Sequence, residues 1–271
     1  MAGMHLDTLA LYDADSAGPS SLADAATDRG LAVLPLSTDP EADAVAPRTG
    51  LAWRCPTGYA ELQQVAGRAL PLTAAPGAWL VGLPEDVLGR RLSVRTAGEL
   101  AAGGDPGLPR VASVKLANHK RRSLPMQRVD DVQGVRTWAA RLPADYQLLL
   151  ASDWLRFHSE YRIFTVGRSA VAWSPYVIED EVYSPALRHH RASFHDEAAA
   201  FAEGVLGALP DRLVPPAIVM DIARLDSDGR LVLLETNTSW GAGLYGCDPQ
   251  AVLDAVLVAN QPADPYWSWT P

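Results

Sequence analysis

The chain has 271 residues and a formal net charge of −9, from 23 basic and 32 acidic side chains. Apolar residues make up 48% of it and charged residues 20%, a composition that fits a globular protein with a substantial core and excludes a disordered chain. The acidic balance argues against a nucleic-acid-binding protein, because phosphate backbones require a broad basic surface.

No apolar run approaches the roughly 20 residues that a membrane-spanning helix needs. The N-terminal residues lack the basic start and the apolar stretch of a signal peptide. Cys55 and Cys247 have no metal-binding or redox spacing, which indicates free thiols in a reducing compartment. We therefore expect a cytoplasmic protein that has neither a nucleic acid nor a membrane as its partner, and the sequence leaves its oligomeric state open.

The first 85 residues predict a small α/β unit. A strand over 5–12, a helix from Ser20 or Ser21 through Arg29 and a strand over 31–36 follow one another, which is typical of a parallel strand–helix–strand unit. Residues 38–56 are rich in Pro, Asp and Ala and predict a loop. A helix over 59–70 and a short apolar strand over 78–83 complete this part, and we place a domain boundary near residue 85.

The remainder of the chain is richer in strands. A Gly/Pro/Asp-rich stretch over 101–109 predicts a turn, and the Gly167–Arg168 pair predicts a two-residue hairpin turn. The apolar patterns predict strands over 111–117, 147–151, 160–166, 169–177, 217–225 and 230–236. Amphipathic patterns with capping residues predict helices over 130–141, 195–209 and 249–260.

Lysine is rare and clustered. Arginine supplies 21 of the 23 basic residues, and the two lysines, Lys115 and Lys120, lie in one segment. Chance explains this less well than a site that needs a compact ammonium group. Residues 106–129 hold six basic side chains and no acidic one, so this basic segment is either a solvated loop or a polyphosphate site. Lys115 lies in an apolar strand and needs an anion there, either an internal carboxylate or a ligand phosphate.

Two apolar strands joined by the turn sequence DSDG each carry a carboxylate, Asp221 and Glu235. If the loop has three residues, with Gly229 left-handed, the two carboxylates lie directly opposite each other and Asn237 shares their face. A four-residue loop shifts the register by one and puts Asp221 on the other face. Opposed carboxylates need a cation between them, and hard oxygen ligands favour Mg²⁺. The alternative is a surface hairpin whose acids face water, against which the apolar flanking residues count.

An apolar strand end followed by Ser152 and Asp153 is suited to a purine and a ribose hydroxyl. Glu160 and Arg162 share a face of the next strand, where they form an ion pair unless Arg162 binds a phosphate or an acyl phosphate. The His189, His190 and His195 cluster fits no zinc spacing. Trp240 and Tyr245, which follow Asn237 in a Gly-rich stretch, either line an acceptor pocket or cover the core.

These motifs, in this order, resemble the ATP-grasp superfamily. They are VASVKLANHK, QLLLASDWL, EYRIFTV, VMDIARL and LLETNTSWGAG, and the resemblance covers about residues 111–260. It is greatest to small bacterial members rather than to large biosynthetic synthetases. The chain departs from the family in two places: residues 117–123 lack a Gly-rich phosphate lid, and TSWGAG stands where a Pro-rich step usually follows the Asn.

The resemblance implies a mixed α/β (α+β) fold. Its parts are a Rossmann-like N-terminal α/β unit over 1–85, a lid subdomain over 86–150 and a C-terminal antiparallel-sheet subdomain over 151–271. It also implies site roles. Lys115, with Lys120 from a lid, contacts ATP phosphates, and Arg162 steadies the transferred phosphoryl group. Leu150, Ala151, Ser152, Asp153 and Glu160 contact the nucleotide, and Asp221, Glu235 and Asn237 bind Mg²⁺.

The implied activity is an ATP- and Mg²⁺-dependent ligase that joins a carboxylate to an amine through an acyl phosphate. The carboxylate and the amine belong to small molecules or peptides, and positioned cations stabilise the transferred phosphoryl group. Two alternatives stay open at this point. One is a phosphotransferase on the same scaffold, and the other is a nucleotide-binding module without catalysis.

Overall fold

The computed structural model describes residues 5–12, 21–37, 50–68, 70–117, 124–179, 181–182, 192–261 and 264–270. Within these ranges the strands form one parallel and two antiparallel sheets, and helices pack against them. The predicted mixed α/β class is therefore confirmed. No helix in the described ranges is both long enough and apolar enough to span a bilayer.

The N-terminal sheet is parallel, with strand order β2-β1-β3. Its elements are β1 (Thr8–Tyr12), α1 (Leu22–Asp28), β2 (Ala32–Leu36) and β3 (Leu51–Arg54). Ser21 caps α1 through a capping box with Asp24, and Gly30 follows the helix at φ +76°, so the predicted strand–helix–strand unit is confirmed. The predicted loop over 38–56 is wrong at β3, because four buried residues form a strand inside a segment whose average composition is loop-like.

Three short helices follow, namely α2 (Thr57–Val65), α3 (Gly77–Val81) and α4 (Glu85–Leu88). The predicted strand over 78–83 is wrong, since α3 occupies most of it. A short buried apolar run does not distinguish a strand from a helix by its periodicity, and Pro76 and Gly82, which bound α3, are also usual strand boundaries. The helix buries Trp79 and Leu80.

The second sheet is antiparallel, with strand order β4-β7-β5-β6. Its strands are β4 (Leu92–Thr96), β5 (Ser113–Leu116), β6 (Gln127–Arg128) and β7 (Gln147–Ala151). Two helices, α5 (Ala97–Ala101) and α6 (Val132–Ala139), contribute to the apolar cluster on one face of this sheet. The other face is free of that cluster, and it carries Lys115.

The third sheet is antiparallel, with strand order β10-β9-β8-β11-β12. Its strands are β8 (Phe157–Val166), β9 (Ser169–Ile178), β10 (Glu181–Val182), β11 (Ala217–Leu225) and β12 (Leu231–Asn237). One face packs on α7 (Ala192–Gly207), and the other shares a core with α8 (Pro249–Ala259) and the N-terminal sheet. The predicted turn at Gly167–Arg168 is confirmed by the pairing of Val166 with Ser169. The domain boundaries near residues 85 and 150 stay predictions.

Candidate functional site

Asp221 lies directly opposite Glu235 in the β11–β12 ladder, as predicted. The route to this pairing differs from the prediction, because the loop has four residues, 226–229, rather than three. A regular ladder with that loop would place Asp221 opposite Leu234. A β-bulge leaves Leu234 without a partner in the ladder and restores the alignment of the two carboxylates.

Asn237 joins the two carboxylates. Its side-chain Nδ2 donates to Oδ2 of Asp221 at 2.7 Å and to Oε1 of Glu235 at 3.1 Å. The three polar side chains therefore meet at the end of the hairpin, where the sequence predicted that they would. One amide group holds both carboxylates in place.

Arg162 and Asp221 form a buried bidentate ion pair. Nε of Arg162 donates to Oδ1 at 2.9 Å and one terminal nitrogen donates to Oδ2 at 2.8 Å, and the side chains are 3% and 0% exposed. Burial acts to lower the pKa of Arg162, but the charge and hydrogen bonds of Asp221 outweigh it and raise that pKa. The rings of Tyr176 and Tyr245 cover the guanidinium, with centroids 4.3 and 4.9 Å from its central carbon.

Lys115 and Glu235 form a second ion pair, between the ammonium Nζ and carboxylate Oε2. Lys115 comes from β5 of the four-stranded sheet and Glu235 from β12 of the five-stranded sheet, so the pair bridges the two sheets. Their side chains are 23% and 17% exposed. Of the two anions that the sequence left open for Lys115, the structure shows the internal carboxylate.

A cavity of about 580 Å³ lies between the two sheets at this ion pair. Its lining includes five predicted site residues: Lys115, Ala151, Asp153, Glu160 and Glu235. Apolar side chains cover much of the remaining wall, among them Leu92, Leu149, Trp154, Leu155 and Phe157. A cleft of this size, with apolar walls and a few charged groups at one end, is typical of a small-molecule site.

Arg90 also lines the cavity, and sequence reasoning missed it. One terminal nitrogen of its guanidinium donates to the carbonyl oxygen of Leu234 at 2.9 Å. Burial lowers its pKa, and the nearby charges of Glu235 and Asp153 act to raise it. Nothing in the sequence distinguishes Arg90 from Arg91, which is exposed and pairs with a surface glutamate.

Other predicted nucleotide residues lie around the cavity rather than in its wall. Leu150 is fully buried in the core on the opposite face of the four-stranded sheet. Ser152 is buried too, and its hydroxyl donates to Oδ2 of Asp153 at 2.8 Å. The guanidinium of Arg110 also contacts the carboxylate of Asp153 and donates to the carbonyl oxygen of Ser152 at 2.9 Å. Lys120 lies outside the described residues.

The aromatic pair and the histidines separate in the structure. Trp240 is fully buried and packs edge-on against Trp269, so it belongs to the core. Tyr245 is 37% exposed and lies over Arg162. His195 is buried beside the ring of Tyr161, and the other two histidines of the predicted cluster lie outside the described residues.

The donor set suits Mg²⁺, which favours carboxylate and amide oxygens and takes further ligands from water and phosphates. Glu235 lines the cavity and Asn237 adjoins it, so both are within reach of an ion there. Asp221 fits less well as a direct ligand, because it is inaccessible and both of its oxygens accept hydrogen bonds. Among the residues that the structure describes, no group of three or more His, Cys, Asp and Glu side chains is placed to hold a metal ion.

Comparison with solved structures gives the fold. A D-cycloserine synthetase superposes with a TM-score of 0.56 at 19% identity, over 93% of this chain and 98% of the other. An N5-carboxyaminoimidazole synthase from Aspergillus clavatus, solved in complex with ADP and 5-aminoimidazole ribonucleotide, gives a TM-score of 0.52 at 16% identity, over 93% and 77% of the two chains. No curated protein sequence matches the chain.

A family model for an ATP-grasp domain, the second family of its clade, matches residues 88–255, which is more than half of the chain. The predicted superfamily and fold are therefore confirmed. The match also agrees with the predicted enzyme class, an ATP-dependent ligase that forms C–N bonds. The chain belongs to this family of ATP-grasp domains.

Proposed function

We propose that this protein is an ATP- and Mg²⁺-dependent ligase that joins the carboxylate of one small molecule or peptide to the amine of another. Family membership supports the reaction class. The observation that carries the proposal is the convergence of Lys115, Arg90 and Glu235 at one end of a cavity with apolar walls. Two cations beside a metal-ligand carboxylate form the charge pattern that a nucleotide triphosphate requires.

The two cations would bind phosphate oxygens. Lys115 is held by Glu235, and Arg90 donates to a backbone carbonyl, so each exchanges one partner for a phosphate when the nucleotide binds. Because these groups are already close to their working positions, little reorganisation is needed. Lys120 remains a proposed second lysine from a lid.

Glu235 and Asn237 would hold Mg²⁺. The ion, when bound, neutralises charge on the phosphates. Asp221 holds the amide of Asn237 and the guanidinium of Arg162, so we assign it to positioning these two side chains rather than to direct metal contact. Arg162 is almost fully buried, and it would act on the transferred phosphoryl group only after a local rearrangement.

The nucleoside would lie along the apolar wall formed by Leu149, Ala151 and Trp154, with Asp153 near the ribose. The acceptor carboxylate oxygen then attacks the γ-phosphorus, which forms an acyl phosphate and releases ADP. The amine attacks the carbonyl carbon of that acyl phosphate, loses a proton and displaces inorganic phosphate. No nucleophile from the protein is required.

The test is to incubate purified protein with ATP, Mg²⁺ and a mixture of the standard amino acids, which supply both carboxylates and amines. We expect ADP and free phosphate in equal amounts and a dipeptide or amide product by mass spectrometry. Added hydroxylamine should trap the acyl phosphate as a hydroxamate. A stable phosphorylated product without free phosphate would indicate a kinase, and nucleotide binding without turnover on any acceptor would contradict ligase activity.

A further inference from the structure

Arg54 is a buried arginine at the end of β3, outside the cavity and outside the residues matched by the family model. Its side chain is part of the core, with only 3% of the residue exposed. One terminal nitrogen donates to the carbonyl oxygen of Trp240 at 3.1 Å, and the other donates to that of Ala242. The backbone N–H of Cys55 donates to the same Trp240 oxygen at 3.0 Å.

These contacts hold the 240–245 loop, which begins three residues after Asn237. From the opposite side Arg162 donates to the carbonyl oxygen of Gly243 at 3.3 Å, so arginines from two sheets grip one short loop. The loop packs closely, because a Cβ on Gly241 would lie 2.6 Å from the hydroxyl oxygen of Thr238. The indole nitrogen of Trp240 anchors it further by donating to the carbonyl oxygen of Thr73 at 2.8 Å.

The loop connects this grip to the candidate site through Tyr245. That residue adopts φ +52°, a conformation that side chains other than glycine adopt with strain, and its ring lies over Arg162 beside Tyr176. Arg162 in turn pairs with Asp221. A displacement of the loop would therefore be felt at Arg162 and at the hairpin that carries the metal ligands.

We propose that Arg54 is a positioning residue, which fixes the 240–245 loop so that Tyr245 and Arg162 are aligned for the acceptor beside the phosphate end of the cavity. A buried guanidinium is costly, and an apolar side chain would fill a purely structural position at lower cost. A planar guanidinium, however, holds two carbonyl oxygens in fixed geometry, which an ammonium or an apolar group does not. This inference rests on the proposed ligase function.

The test compares Arg54→Met and Arg54→Lys with the control Arg29→Met. Arg29 also joins the N-terminal unit to the rest of the chain, through Gln250 and Asp254 on α8, but it contacts no part of the loop. Each variant is assayed for hydrogen exchange by mass spectrometry, for affinity for ADP with Mg²⁺ and for ADP release with ATP and the amino-acid mixture.

We expect Arg54→Met to speed exchange over residues 238–246 while β11 keeps its protection, and to leave ADP affinity within about twofold of the control. Turnover should fall by about tenfold or more, since small misplacements of an acceptor cost rate rather than nucleotide binding. Arg54→Lys should lie between the wild type and Arg54→Met. Turnover and loop exchange equal to those of Arg29→Met would overturn the proposal.

Failure of both Arg54 variants to fold would also overturn it, because the residue would then be structural. If the wild type itself shows no turnover, the ligase proposal fails. Hydrogen exchange still decides whether Arg54 holds the loop, so the two failures are distinguishable.

Discussion

Lys115 on β5 and Glu235 on β12 form an ion pair that joins the four-stranded sheet to the five-stranded sheet. In the proposed function these groups have different partners, since the ammonium binds phosphate and the carboxylate binds Mg²⁺. In the ligand-free protein each compensates the charge of the other within a partly buried cavity, where an unpaired charge would be costly. Nucleotide and metal binding are therefore expected to be coupled through this pair.

The coupling makes a prediction for Glu235→Gln. Without Mg²⁺ the variant should bind ADP at least as tightly as the wild type, because Lys115 no longer has a carboxylate to leave. Adding Mg²⁺ should improve binding much less than in the wild type, because a metal ligand is lost. Calorimetric titration of ADP in EDTA and in Mg²⁺ measures both effects. A variant that keeps the full Mg²⁺ enhancement would exclude Glu235 as a metal ligand.

Arg90 and Arg91 provide a matched pair of adjacent arginines. Arg90 lines the cavity, whereas Arg91 is exposed and pairs with Glu85. Arg90→Met should weaken ADP binding by about tenfold or more, the usual effect of losing one charge-assisted hydrogen bond. Arg91→Met should leave the dissociation constant within about twofold of the wild type. Equal affinities for the two variants would show that Arg90 does not contact the nucleotide.

The buried pair of Arg162 and Asp221 is expected to be strongly coupled in stability. Asp221→Asn leaves the guanidinium buried without its counter-charge, so the free energy of unfolding should fall by about 3–5 kcal/mol. The double variant Arg162→Met/Asp221→Asn should lose less than the sum of the two single variants. Urea unfolding of the four proteins measures the cycle, and simple additivity would count against a coupled pair.

Both cysteines are free in the structure and are buried. Burial raises the pKa of each thiol to about 12, so almost no thiolate is present near neutral pH. The folded protein should therefore react slowly with a thiol reagent at about pH 8, and both residues should react at once after unfolding in urea. Rapid labelling of either residue in the folded protein would contradict their burial.

Sequence reasoning reached the convergence of Asp221, Glu235 and Asn237 but not the way the chain achieves it. The loop length set the register in that argument, while in the structure the bulge at Leu234 corrects a register that the longer loop would have shifted. Bulges depend on packing against neighbouring strands, and no local residue pattern announces this one.

Lys115 was identifiable because a charge in an apolar strand is unusual, and its rarity in an arginine-rich chain added a second signal. Arg90 and Arg54 carry no such signal. One is half of an arginine pair, and the other lies in a segment whose composition predicted a loop. Their roles depend on which residues of distant elements come beside them, which is tertiary information.

The most direct test of the nucleotide site is calorimetric titration of the wild type and Lys115→Met with ADP in the presence of Mg²⁺. We expect the wild type to bind one ADP per chain and Lys115→Met, while still folded by circular dichroism, to bind at least about tenfold more weakly. Absence of binding by the wild type, or equal affinity in the two proteins, would contradict a nucleotide site built around Lys115.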